Sequence, residues 1–117
     1  MKLSSTLGCT AMQGLSDQAL EQVAQYFNAL SEPNRLRILN LLRDGERNVG
    51  ELAQLCGSTA ANVSRHLAML AKHGLVAREA RGTSVYYRIA DPGIYQLCDL
   101  VCGSIARRFE EQAAHFE

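Results

Sequence analysis

The sequence predicts a mostly α-helical fold with a β-hairpin wing, a winged helix-turn-helix that pairs as a homodimer through its first and last helices. Three observations predict it. Two short apolar-periodic segments, Val49 to Leu55 and Val63 to Leu70, are joined through Gly57, with Thr59 placed to cap the second. Two β-prone runs, Leu75 to Ala80 and Ser84 to Ala90, follow at once. The segments at both ends carry apolar faces larger than a small three-helix core can cover, and a two-fold dimer buries such a face twice.

Each element has a local reason. Residues 1–14 read as a polar arm, and 15–117 as one domain, the size at which a single core forms without disulfides or metal. Leu20, Val23, Ala24, Phe27 and Leu30 recur at helical spacing behind Ser16, a capping residue. Ser31-Glu32-Pro33 interrupts the chain, and Pro33 restarts it in a first turn where its missing N–H costs nothing. Leu36, Ile38, Leu39, Leu41 and Leu42 wrap more than one face, which places the second helix centrally, up to Asp44-Gly45. Val49, Leu52, Ala53 and Leu55 form a short third helix stopped by Gly57. Val63, Leu67 and Leu70 make the stripe of a fourth, ending at His73-Gly74. Arg81-Gly82-Thr83 is the expected hairpin turn. Asp91-Pro92-Gly93 opens the last helix, along which Ile94, Leu97, Cys98, Val101, Ile105 and Phe109 share one face.

The 12 basic and 12 acidic residues cancel, but not locally. Residues 58–90 carry Arg65, Lys72, Arg78, Arg81 and Arg88 against Glu79 alone, a net +4, while residues 91–117 sum to −3. A basic middle is a footprint for phosphate, and the neutral total says nothing against a nucleic-acid partner. No apolar run reaches the ~20 residues of a membrane span, so the reading is a cytoplasmic protein with reduced thiols. Cys9, Cys56, Cys98 and Cys102 are then candidates for chemistry before bridges. No triad, glycine-rich phosphate loop or carboxylate pair points to an enzyme.

Four motifs jointly carry a resemblance. They are Ser31-Glu32-Pro33-Asn34-Arg35-Leu36-Arg37-Ile38-Leu39, Glu51-Leu52-Ala53, Asn62-Val63-Ser64-Arg65-His66-Leu67 with Gly74-Leu75-Val76, and Val85-Tyr86-Tyr87-Arg88. In these the chain, from about Leu20 to its end, resembles the ArsR/SmtB family of winged-helix repressors that respond to metals or thiol chemistry. The resemblance implies a homodimeric repressor on double-stranded operator DNA that lets go when an effector arrives. The helix from Thr59 would then enter the major groove. Asn62 can pair with adenine, Arg65 with guanine or phosphate, Thr59 and Ser64 with phosphates, His66 with either, and Arg81 at the wing tip with the minor groove or backbone. Ala60 and Ala61 stand where many relatives have Gln and Ser, leaving methyl contacts with thymine there. A winged helix that kept its fold for protein interaction and lost DNA binding is the reading from another class.

The family's effector sites are partly absent. Arsenic and cadmium sensors share an ELCVCDLA segment; here Asn48 and Gly50 replace both thiols. Of the zinc sensors' last-helix ligands, Asp91 survives, but Gly93, Ser104 and Arg107 take the other places. Cys98 and Cys102 remain, four apart and on one helix face, about 6 Å between Cα atoms. Two thiolates hold one soft ion, and Cys9 is the candidate third sulfur for the three-coordinate site that arsenite or antimonite prefers. The alternatives are another thiophilic ion, or a redox or reactive-sulfur sensor using the same cysteines. Cys56 aligns with an apolar slot and is expected to pack in the core.

Overall fold

The computed structural model describes the backbone of residues 11–116 and the side chains of residues 13–112. After a 3-10 turn at Ala11–Gly14 come α1 (Asp17–Ala29), α2 (Pro33–Leu41) with a 3-10 extension Leu42–Asp44, β1 (Arg47–Asn48), α3 (Val49–Cys56), α4 (Ala60–Lys72), β2 (Val76–Arg81), β3 (Ser84–Ile89) and α5 (Gly93–Phe116). This is the winged helix-turn-helix arrangement, with α3 and α4 as the helical pair and β2–β3 as the wing.

Caps set the helix starts. The Ser16 hydroxyl accepts the Ala19 N–H at 3.2 Å, and the Thr59 hydroxyl accepts that of Asn62 at 3.1 Å. Pro33 occupies the first turn of α2, where the Glu32 carboxylate accepts the Asn34 and Arg35 N–H groups. Desolvation pushes the Glu32 carboxyl up, but those two bonds and the His66 and Arg35 charges outweigh it and hold it below its ordinary value. At α3, Asn48 and Glu51 form a reciprocal capping box, a three-residue spacing legible in the sequence that the periodicity reading passed over. α3 and α4 both end on a glycine with positive φ. Gly57 (φ 64°) is followed by a Ser58-to-Ala53 backbone bond, and Gly74 (φ 75°) by one from Leu75 to Leu70. The second closure drives Leu75 fully into the core.

The core is one cluster: Ile38 and Leu39 of α2 and Leu42 of its 3-10 extension, Leu52 and Ala53 of α3, Val63, Leu67 and Leu70 of α4, Leu75, Val76 and Tyr87 of the wing base, and Ile94 of α5. α2 is central as its wrapped apolar pattern requires. Leu55 departs from expectation, at 51% exposed. The inner face of α3 runs through Leu52, Ala53 and Cys56, and Cys56 packs half-buried against the core in the slot expected of it.

The sheet has the order β1-β3-β2, wholly antiparallel. β1 was not expected. It is two residues long, Arg47 opposite Tyr87 and Asn48 opposite Tyr86, and a strand this short has no periodicity to read. The hairpin turn is also one residue tighter than expected: Arg81 pairs with Ser84 as the last residue of β2, leaving Gly82 (φ 61°) and Thr83 between the strands. α5 starts against the core and leaves it. Ile94 is buried, the Tyr95 hydroxyl donates to the Leu39 carbonyl at 2.7 Å, and Arg43 lies 4.2 Å over the Tyr95 ring. Burial pushes the Tyr95 hydroxyl up to about 12, against the lowering effect of Arg43. Beyond that turn Leu100, Val101, Ile105 and Phe109 are 45–73% exposed, on a helix about 36 Å long.

Candidate nucleic-acid interface and thiol pair

α4 is held by its buried stripe, so the residues between those positions face outward. Val63, Leu67 and Leu70 are at most 1% exposed, while Thr59, Ser64 and Arg65 are exposed and Asn62 is half-exposed at the first turn. Thr59 is engaged as the cap, the Asn62 side-chain amide donates to the Ser58 hydroxyl at 3.3 Å, and Arg65 donates to the Asn62 side-chain oxygen Oδ1. Asn62 and Arg65 therefore form one preset polar unit, with Ser64 beside it. The first turn of α4 has no acidic residue, so its free N–H groups and dipole present positive potential there.

His66 is placed differently from the others. It is half-buried and faces α2, with Nδ1 3.4 Å from an Arg35 Nη1. Arg35 in turn donates to the Ala29 carbonyl at 2.6 Å and to the Asn28 carbonyl at 3.2 Å. The Arg35 side chain thus ties the end of α1 to α4, a link between residues 31 apart that no local pattern announces.

Arg81 stands at the end of β2 and is ion-paired. It meets Glu46 at 2.5 and 2.9 Å and Glu79 at 3.0 Å, with its guanidinium 4.9 Å over the Tyr86 ring. Hydrogen bonding to Arg81 holds the Glu46 carboxyl below its ordinary value. Glu46 is the residue here that sequence reading missed, because its partner is 35 positions away.

The last-helix thiols line a groove of about 620 Å³ between the end of α1, α2 and α5. Its wall includes Phe27, Leu30, Leu36, Leu39, Leu97 and Val101, with Arg37, Arg43 and Asp99 as charges. Cys98 is half-buried and Cys102 exposed. Burial pushes the Cys98 thiol up, neighbouring Cys102 and Asp99 add to the rise, and Arg43 partly offsets it. Burial likewise pushes Cys56 up, with Arg37 opposing. Cys9 lies outside the described residues. Among the described residues no three His, Cys, Asp or Glu side chains come together as a metal cluster, so the structure brings two sulfurs to one groove. Among the same residues no helix is long and apolar enough to cross a membrane.

Comparison with known proteins agrees with this architecture. The family described as bacterial regulatory protein, arsR family, matches residues 32–78, from the α2 cap to β2. The chain is 36% identical over 95 residues to Rv0081, an uncharacterized HTH-type transcriptional regulator of Mycobacterium tuberculosis, covering 80% of this chain and 83% of that one. The crystal structure of Rv0081 superposes with a TM-score of 0.76, at 33% identity, over 84% of this chain and 99% of that chain. A homodimeric winged helix-turn-helix DNA-binding domain, Mb0332 from Mycobacterium bovis, matches with a TM-score of 0.72 at 38% identity, over 84% of this chain and 94% of that one. A probable mercury resistance operon repressor of Streptomyces lividans is 30% identical over 97 residues, 83% of this chain and 78% of that protein. On the joint strength of the fold, the α2-to-wing match and the relatives' coverage, the chain belongs to the arsR family of bacterial regulatory proteins, which are transcriptional regulators and not enzymes.

Proposed function

We propose that the protein is a homodimeric transcriptional repressor that binds double-stranded operator DNA and releases it when a thiophilic metalloid, arsenite or antimonite, is taken up by Cys98 and Cys102. The observation that carries the DNA half is the outward polar edge of α4: Thr59, Asn62, Ser64 and Arg65 along its cap and first two turns, with no acidic residue in the first, beside a wing that carries Arg78, Arg81 and Arg88. Asn62 and Arg65 are the side chains suited to base edges, Thr59 and Ser64 to phosphates. His66 acts in this reading through Arg35, setting the position of α4, rather than by touching DNA. The apolar Leu100, Val101, Ile105 and Phe109, exposed in a single chain, supply the dimer face, and Mb0332 is a homodimer of the same fold.

The effector reading rests on Cys98 and Cys102 opening into one groove, and a mercury-related repressor among the relatives favours a soft ion. Arsenite condenses with two thiols without redox chemistry. Each S–H gives its proton to an As–OH, two As–O bonds break, two As–S bonds form and two waters leave. Burial favours the protonated form of Cys98, and the condensation consumes that form directly. Drawing Cys98 and Cys102 together shifts α5, which Tyr95 ties to the Leu39 carbonyl of α2 and Arg43 holds through Asp99 and the Tyr95 ring, and through Arg35 the shift reaches α4. The effector must bind the released form better than the DNA-bound form for this to lift repression. Such a regulator works in the cytoplasm, where its DNA and reduced thiols are. Fluorescence anisotropy on a labelled duplex from upstream of its own gene tests the reading. Salt-sensitive binding reversed by arsenite is expected; binding that arsenite and antimonite both leave intact would overturn the effector assignment.

A further inference from the structure

We propose that Glu46 sets the grip of the wing on DNA by holding Arg81 in place of a phosphate. The inference rests on the reading that the wing faces DNA. Antiparallel register places Glu79 opposite Tyr86 and Asn48 opposite Tyr86 on the other side, so Glu46, Glu79, Arg81, Tyr86 and Arg88 share the outer face of the sheet. There the Arg81 side chain reaches across β3 over the Tyr86 ring to meet Glu46.

The bonding is what makes this a competition. Glu46 takes the end of the guanidinium with both oxygens, on Nη1 at 2.5 Å and on Nη2 at 2.9 Å. Glu79 takes the second Nη2 hydrogen at 3.0 Å. A guanidinium offers two edges for bidentate contact, Nη1 with Nη2 and Nη2 with Nε, and both run through Nη2. With both Nη2 hydrogens committed, a phosphate can bind two-pronged only by displacing a carboxylate. Two carboxylates on one cation also leave this corner net negative, and Arg88, close enough to Glu46 to lower its carboxyl further, is the next positive group. Arg81 is therefore latched in the free protein, and DNA affinity carries the cost of opening the latch.

The test is a double-mutant cycle on the full-length dimer with the labelled promoter duplex, comparing wild type, Glu46→Gln, Arg81→Ala and the double variant. Gln keeps the size and one acceptor and removes the charge. An exposed ion pair is worth a factor of about 1.5 to 5, so two wings per dimer give roughly two- to thirtyfold tighter binding for Glu46→Gln. Arg81 meets a phosphate in the wild-type complex too, once the latch opens, so Glu46→Gln should leave the salt slope near that of wild type, while Arg81→Ala should flatten it by about 0.9 per wing. Arg81→Ala should weaken binding, and adding Glu46→Gln to it should then change nothing. Unchanged or weaker binding by Glu46→Gln would overturn the inference, as would an equal gain in the Arg81→Ala background, which would be charge repulsion without a latch. If Arg81→Ala leaves affinity untouched while Arg65→Ala abolishes it, the inference falls and the α4 reading stands.

Discussion

Replacing Arg65 by alanine is the sharpest test of the DNA-facing edge of α4. Arg65 is exposed and, among the described residues, bonded only to Asn62, so its loss removes no core contact, and stability should stay within about 0.5 kcal/mol of wild type. Each dimer loses the side chain twice. If Arg65 meets a base edge, each contact is worth about 1–3 kcal/mol, and the low end for two is about 2 kcal/mol, or about thirtyfold in Kd. If it meets a phosphate, the plot of log K against log salt should flatten by about 1.8, from about 0.9 per phosphate at two half-sites. Anisotropy titrations at several salt concentrations measure both quantities, with circular dichroism confirming the fold. A folded variant with unchanged Kd and unchanged salt slope would refute the placement of α4 in the groove.

Other consequences follow from the same geometry. Leu67 is fully buried in the core cluster, so Leu67→Ala should cost about 2–5 kcal/mol and lower the melting temperature by about 8 °C or more at fixed protein concentration; a loss of under 1 kcal/mol would contradict the core assignment. Ile105→Asp puts a charge on the exposed stripe of α5 and should give a monomer by light scattering, with DNA affinity falling as the second half-site is lost; an intact dimer would place the interface elsewhere. The thiol pair predicts different pH behaviour for two probes. Burial raises Cys98, so its proton stays on at neutral pH and a cation such as cadmium must displace it, making apparent cadmium affinity rise with pH by up to about tenfold per unit for each proton released. Arsenite brings its own hydroxyls and loses the protons as water, so its equilibrium affinity should be nearly flat below the thiol's raised value. Matching pH profiles for the two would show that another group takes part.

What the sequence disclosed was whatever repeats or is punctuated locally. Gly57, Thr59 and the Val63, Leu67, Leu70 stripe are enough to lay down α3, the turn and α4, because each acts within one or two helical turns. Cys56 is readable as a core residue, whereas Leu55 is not readable as exposed, because five apolar residues in the eight of α3 leave the inward direction ambiguous until a partner surface fixes it. β1 and its pairing with Tyr86 and Tyr87 are non-local and only two residues long. The same holds at the candidate sites. Arg65, Arg81, Cys98 and Cys102 stand out as candidates by type and spacing alone. The Glu46 clamp on Arg81, the turn of His66 toward Arg35, and the groove that joins Cys98 and Cys102 to α2 exist only once distant segments meet.

The most direct test of the central claim is arsenite titration of the preformed protein–DNA complex, followed by anisotropy, for wild type and for the Cys98→Ser, Cys102→Ser double variant. Both should bind the promoter duplex equally well without arsenite, since neither thiol lies on α4 or the wing. Wild type should then release DNA as arsenite is added while the variant stays bound. Release by the variant at the same arsenite concentration would contradict the account.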